Sequence, residues 1–326
     1  WGEVAPLPGF SRESLSDAVS QLQFLKTALM GMDIPAPDEL AKLNGAFETW
    51  LGSYQLFPSV RFGLESAVLR LIARERQAPL RSLISTEATD KVSVCALLSG
   101  TNDEILEKTQ ESKAEGFKTV KLKVGRQSLE DDVTLVHTVR QQIGERIALR
   151  LDANRAWDIE QAMAFMDQVK NCDIEYIEEP AHDYLGILQL CNILKGSVPI
   201  ALDESLGTIS PSALSPTPEI VAVILKPTIL GLERSVRFAR RANKLGMKAV
   251  VSSSFESGLG LATLTELGAG LNRNRDLPLG VDTVNSLTHD ILERPLEIKR
   301  GQIDLTTQTV QNPQPRLDLL DEVKDA

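Results

Sequence analysis

Cysteine, histidine and the large aromatics are scarce in this chain, and long hydrophobic runs are missing. Its three cysteines, Cys95, Cys172 and Cys191, are widely spaced and form no CxxC pair. That excludes a disulfide framework and suits a reducing compartment, so a cytoplasmic location is expected. The longest uninterrupted aliphatic run, residues 220–225, falls far short of the ~20 apolar residues needed to cross a bilayer. Positive charge is also short: 35 basic against 45 acidic residues give a net charge of −10. This argues against a general nucleic-acid or anionic-membrane surface and leaves room only for small, internal basic sites. The chain opens at Trp1 without a methionine or a visible signal peptide, so an upstream segment is expected to have been removed or lost.

What is present is a repeating texture. At about 150 residues per domain, 326 residues predict two domains, or one large barrel with an attachment. Residues 1–88 read as a small helical region: Ser11 is the expected cap of a helix over about 14–29, and a second helical pattern follows Pro58. From Lys91 onward, short aliphatic runs alternate with helical patterns. Eight runs stand out, at 92–98, 119–124, 147–152, 174–178, 199–203, 220–226, 248–253 and 279–282, with helices expected at 129–143, 159–169, 232–245 and 259–271. No GxGxxG turn follows the first run, so eight units predict a TIM-like (β/α) barrel over 89–293 rather than a doubly wound sheet. The weakest unit lies between Asp203 and Ile220, where Pro211, Pro216 and Pro218 leave room only for a short helix. The polar tail, 294–326, is expected to return to the helical region or to fray.

Polar residues gather at the carboxyl ends of these runs. Lys121 and Lys123 end the second, Asp152 the third, Glu178 the fourth, Asp203 the fifth, Lys226 the sixth, Ser252 and Ser253 the seventh and Asp282 the eighth. In a closed barrel all of them ring one mouth, where such folds build active sites. Asp152, Glu178 and Asp203 would repel one another in a partly desolvated site unless a cation lay between them. All-oxygen ligation without His or Cys favours Mg²⁺, with Mn²⁺ as a substitute. Glu178 is preferred over its neighbour Glu179 because successive strand side chains alternate faces. The same alternation puts Lys121 and Lys123 on one face, opposite Val120, Leu122 and Val124. Desolvation and a metal are expected to lower a lysine pKa toward neutrality and make it a usable base, with Lys226 across the mouth. Proton abstraction beside a carboxylate is the chemistry this arrangement suits.

The segments Lys121-Leu-Lys123, Leu151-Asp152-Ala-Asn154, Ile177-Glu178-Glu179-Pro180, Leu202-Asp203-Glu204-Ser205 and Leu225-Lys226-Pro227 resemble the enolase superfamily, muconate-lactonising subgroup. Asp152-Ala-Asn-Arg-Ala-Trp157, Ser252-Ser-Ser-Phe-Glu-Ser257, Gly280-Val-Asp-Thr283 and the opening Trp1–Gly9 look like its o-succinylbenzoate synthase family. That superfamily is itself a standing example of a Lys or His base working beside Mg²⁺. The resemblance implies an α/β fold: a TIM-like barrel with an α+β capping domain, here lacking its first strands and mobile loop. It also implies dehydration of 2-succinyl-6-hydroxy-2,4-cyclohexadiene-1-carboxylate, a small dicarboxylate, in menaquinone or phylloquinone biosynthesis. Lys123 would remove the proton α to the ring carboxylate and then protonate the departing hydroxyl. Lys226 would stabilise the enediolate, Lys121 would orient the substrate, and Asp152, Glu178 and Asp203 would hold Mg²⁺. Asn154, Arg150, Ser252 and Ser253 are candidate substrate contacts, although Arg150 equally suits a structural ion pair.

Other readings compete. Mandelate-racemase-type dehydratases need a histidine base near the seventh strand, and His137, His182 and His289 are not placed for it. Dipeptide epimerases share the lysines but commonly carry Asp-x-Asp on the eighth strand, where this chain has Asp282-Thr-Val284. N-succinylamino-acid racemisation uses the same lysine pair. A Schiff-base aldolase using Lys226, or a non-catalytic binding barrel, would leave the three acids unexplained. A homo-oligomer is compatible with the sequence.

Overall fold

A computed structural model describes residues 1–194, 198–272 and 276–322. Residues 1–88 fold as helices, with no strand among them. Helix Leu15–Ala28 is capped by Ser14 in place of the expected Ser11. The Ser14 hydroxyl accepts from the Asp17 amide and the Asp17 carboxylate accepts from the Ser14 amide. This reciprocal box satisfies two donors that the first turn would leave open. Ser11 instead closes the preceding loop, where its Oγ accepts from the Leu7 amide at 2.9 Å and ties residues 7–11 back on themselves. Gly9, at φ +83°, makes that turn in a conformation a side chain would strain.

The barrel is built from parallel strands in chain order. β1 (Lys91–Ser93) stands apart from β2 (Ala96–Leu98), β3 (Thr119–Lys123), β4 (Ala148–Asp152), β5 (Ile174–Glu178), β6 (Ile200–Leu202), β7 (Ile220–Leu225) and β8 (Lys248–Val251). β2 to β8 form one seven-stranded sheet, while β1 pairs antiparallel with β9 (Gln302–Asp304) in the tail. The first expected run is thus two strands with different partners. The eighth is reduced to Leu279 and Gly280, which bridge Val94 on one side and Ser252 on the other. Cys95 and Ser253 donate to their carbonyls at 2.8 and 2.9 Å, so this short link joins the two edges of the sheet. Pro278, with no N–H to give, precedes it and limits the pairing.

Helices Leu129–Ile143 and Ile159–Val169 have the expected bounds. Each starts at a side chain, Ser128 or Asp158, that accepts from the third helical amide. Between Asp203 and Ile220 the prolines leave only two 3₁₀ turns, Glu204–Gly207 and Pro211–Ala213. The described part of the tail lies along the helical region: Arg70 donates to the Val310 carbonyl and Arg81 to that of Leu305. Its last four residues, 323–326, lie outside the described residues. No helix among the described residues is long and apolar enough to cross a membrane.

Strand alternation sorts the core into two parts. Val120, Leu122, Leu149, Leu151, Ile177, Leu202, Val223 and Leu225 belong to the large core shared with the helices, whereas Tyr176, Ala201, Ala222, Ile224 and Val250 fill the barrel interior. Lys121, Lys123, Arg150 and Asp152 alternate with members of the first set, so their side chains point inward.

Candidate active site

Parallel register stacks the site in layers. Lys123 pairs with Asp152 and Asp152 with Glu178 across β3, β4 and β5; one layer below, Lys121 pairs with Arg150 and Arg150 with Tyr176. Asp203 follows β6, Lys226 follows β7 and Ser252 follows β8, so all reach the same mouth.

Each proposed metal ligand is buried and held by an ammonium group. The Lys121 Nζ lies 3.1 Å from both Asp152 Oδ2 and Glu178 Oε2, and Lys123 Nζ lies 3.0 Å from the same Asp152 oxygen. Lys226 pairs with Asp203. Burial works against an ionised Asp152, but Lys121, Lys123 and Lys226 outweigh it and hold this carboxyl well below the usual carboxylate range. At Glu178 and Asp203 burial wins over Lys121 and Lys226, and repulsion from Asp152 adds to it, so both are pushed up. Lys121 and Lys226 sit among opposing influences. Burial does act downward there, but Glu178 and Asp152 on the first and Asp203 and Glu204 on the second raise them overall.

Three buried carboxylates, two of them raised by burial and mutual repulsion, form a donor set whose charge and hardness fit a divalent cation such as Mg²⁺. Among the described residues no three acidic, histidine or cysteine groups already stand together at metal-binding spacing. Each of the three acids is paired with at least one lysine.

Glu179 turns away from the mouth. It accepts from the amides of Asp203 and Ser205 at 2.7 and 2.9 Å and pairs with Arg155 at 3.2 Å, bracing the loop that carries Asp203. Asn154 accepts from Lys123 through Oδ1 and donates to Glu204, which brings both to the rim. Ser252 and Ser253 line the pocket and donate to the Gly280 carbonyl, each at 3.2 Å. A Cβ on Gly280 would fall 2.5 Å from Ser252 Oγ, so a side chain there would have to displace the Ser252 hydroxyl. Asp282 is also at the pocket wall, where it accepts from the Leu97 amide at 2.9 Å.

Of the candidate contacts, Asn154 lines the adjoining cavity with Asp203, Glu204 and Lys226, and Arg150 lines neither that cavity nor the pocket. Only 1% exposed, it donates to Glu175 at 2.7 Å and to the Pro278 carbonyl at 2.9 Å, with its guanidinium 5.1 Å from the Tyr176 ring centroid. It is a structural ion pair inside the barrel, one layer below the acids.

Sequence reasoning missed the apolar lining: Leu7 and Phe10 from the loop 7–11, Leu97, Ile229 and Phe255. Phe10 lies 5.9 Å from Lys226 Nζ by ring centroid, which brings the helical region to a lysine of the barrel mouth. Only the Pro-Gly turn signal hinted at this loop, and it did not say which way the loop points.

A family profile described as "Enolase C-terminal domain-like" matches residues 104–309. The o-succinylbenzoate synthase of Haemophilus influenzae is 32% identical over 297 residues, a match covering 90% of this chain and 80% of that protein. "Protein PHYLLO, chloroplastic" of Arabidopsis thaliana is 36% identical over 336 residues and matches 92% of this chain. The chain spans only 19% of that protein's length. Among solved structures, a muconate cycloisomerase from Pseudomonas fluorescens superposes with a TM-score of 0.83 at 21% identity, covering 98% of this chain and 88% of that one. A dipeptide epimerase from Methylococcus capsulatus, complexed with Mg ion, gives 0.78 at 23% identity, with coverage of 97% and 88%. At these identities the structural matches speak for the barrel fold alone.

Proposed function

We infer the reaction from membership: the chain belongs to the enolase superfamily and, within it, to the o-succinylbenzoate synthase family. It is a carbon–oxygen lyase that dehydrates 2-succinyl-6-hydroxy-2,4-cyclohexadiene-1-carboxylate to 2-succinylbenzoate, a step of menaquinone or phylloquinone biosynthesis. The observation that carries this reading is that Lys123 and Lys226 line one pocket from strands four apart, with three buried carboxylates at the same mouth.

In this reading Lys123 takes the proton α to the ring carboxylate and returns it to the leaving hydroxyl. Asn154, accepting from the Lys123 ammonium, holds that amine toward the pocket. Lys226, on the other wall, offers positive charge where negative charge grows on the substrate. Lys121 tethers Asp152 and Glu178 and keeps the floor of the site in register. Asp152, Glu178 and Asp203 would hold Mg²⁺, which when bound supplies electrostatic stabilisation of the charge developing on the substrate carboxylate. Phe10, Leu97, Ile229 and Phe255 give the ring an apolar wall and exclude water. Asn154, Ser252 and Ser253 remain the substrate contacts of this reading; Arg150, which donates to Glu175 inside the barrel, is not among them.

The same reading divides the chain into a capping part, 1–88, a barrel, 89–293, and a returning segment, 294–326. The bonds from Arg70 and Arg81 to the tail support the last boundary. A cytoplasmic location and Mn²⁺ as a working substitute belong to the proposal too.

The test is turnover of the cyclohexadiene substrate by the purified chain with and without EDTA. Magnesium-dependent formation of 2-succinylbenzoate is expected. Turnover that ignores chelation, or racemisation of N-succinylamino acids without dehydration, would overturn it.

A further inference from the structure

Glu256 is fully buried and does not line the pocket, yet it joins the two loops that do. Its Oε1 accepts from the Thr228 hydroxyl at 2.5 Å, and its Oε2 accepts from the Ser254 amide at 2.6 Å. Thr228 lies two residues after Lys226, in the turn where the amides of Ile229 and Leu230 bond the Lys226 carbonyl at 2.9 and 3.0 Å. Ser254 belongs to the pocket-lining stretch 252–255. Between Ser254 and Glu256, Phe255 has φ +62°, a left-handed conformation that a phenylalanine adopts only under constraint. Phe255 is 43% exposed and lines the pocket. The bond from the Ser254 amide to Glu256 spans this strained residue and holds it.

We propose that Glu256 is a positioning residue: its carboxylate clamps the Lys226 turn to the Ser252–Phe255 turn and so fixes how Lys226 and Phe255 meet the substrate. Glu3 of the N-terminal segment faces the same corner. Its carboxylate accepts from the amides of Ser257 and Gly260 at 2.8 and 2.7 Å, while Asp290 accepts from Gly258 at 2.8 Å. Burial first, with Glu3 adding repulsion against the Thr228 and Ser254 bonds, pushes Glu256 up to about 7. A carboxyl kept in so unfavourable a setting marks a position held for its two bonds, since an apolar side chain would fill the space without that cost.

The role of Lys226 rests on the proposed function, so the experiment has one arm that needs no substrate. Thr228→Val removes the hydroxyl and keeps the shape; Thr228→Ser keeps the hydroxyl. Hydrogen exchange of peptides covering 226–231 and 252–256 is expected to quicken about tenfold in Thr228→Val and to stay near wild type in Thr228→Ser. Glu256→Gln should quicken the same two peptides and leave 148–178 unmoved. With substrate, Thr228→Val should lose about tenfold in kcat with little change in KM, and Thr228→Ser should recover most of it. Unchanged exchange in both Thr228→Val and Glu256→Gln would overturn the clamp, as would equal losses in the Val and Ser variants. If the wild-type chain fails to turn over the cyclohexadiene, the proposed reaction falls, and the exchange arm still decides the clamp.

Discussion

Lys123 and Asp152 are register partners on neighbouring parallel strands, and the ammonium of the first lies 3.0 Å from the carboxylate of the second. An amine tethered this way is aimed by the sheet itself, because neither strand can shift without moving its neighbour.

Lys123→Ala should therefore abolish dehydration by about 10³-fold or more in kcat, in the range expected for a general acid–base residue. The side chain is partly exposed and its neighbour Asp152 keeps Lys121, so the unfolding midpoint should change little. Steady-state kinetics alongside thermal unfolding checks this. Activity above a few per cent of wild type would remove Lys123 from the role of base.

Asp203→Asn should raise the Mg²⁺ concentration needed for half-maximal turnover and lower kcat together, because one charged donor is lost and Lys226 loses its partner. A metal titration of activity reads both. An unchanged magnesium requirement would take Asp203 out of the ligand set.

The parallel strands and the acids at their ends were legible because both leave local marks. Aliphatic runs followed at near-constant spacing by a charged residue give Asp152, Glu178 and Asp203, and period-two alternation separates Lys121 and Lys123 from their apolar neighbours. The choice of Glu178 over Glu179 is not settled by alternation alone. Glu179 has φ +43° and bonds the Asp203 and Ser205 amides, a tertiary arrangement that no spacing encodes. Likewise, nothing local tells an inward arginine that meets substrate from one that meets Glu175. The splitting of the first run depends on β9, some 200 residues away, whose partner can be seen only after folding. The carboxylates that face Lys121 and Lys226 raise both amines against burial, a tertiary balance that strand spacing does not encode.

Arg150→Met tests the structural assignment of that residue. It would strip the half-buried Glu175 of its guanidinium partner and leave it only Lys248. The fold should lose about 3 kcal/mol, the lower end of the usual cost of breaking a buried pair from one side. Urea unfolding measures it. A variant of wild-type stability with a raised KM would instead return Arg150 to the substrate contacts.

Glu65 offers a pH test away from the active site. It is fully buried under the Leu232 and Glu233 amides, which donate to it at 2.7 and 2.9 Å, and 3.5 Å from Arg61. Burial, with repulsion from the Glu233 carboxylate, raises it from 4.5 to about 7 against the pull of those amides and Arg61. Between these values the folded chain keeps a proton that the unfolded chain has released. Its contribution is therefore complete below the unfolded value and is lost as pH rises toward the folded one, by about 3 kcal/mol over the window. Glu65→Gln cannot ionise and should lack that loss, so the stability difference between variant and wild type should shift in the variant's favour from about pH 4.5 to about pH 7.5. Glu256 titrates in the same range in both proteins and cancels in the comparison. Urea unfolding at the two pH values reads the difference. A difference that does not move with pH would mean that Glu65 is ionised throughout, with Arg61 and the two amides outweighing burial.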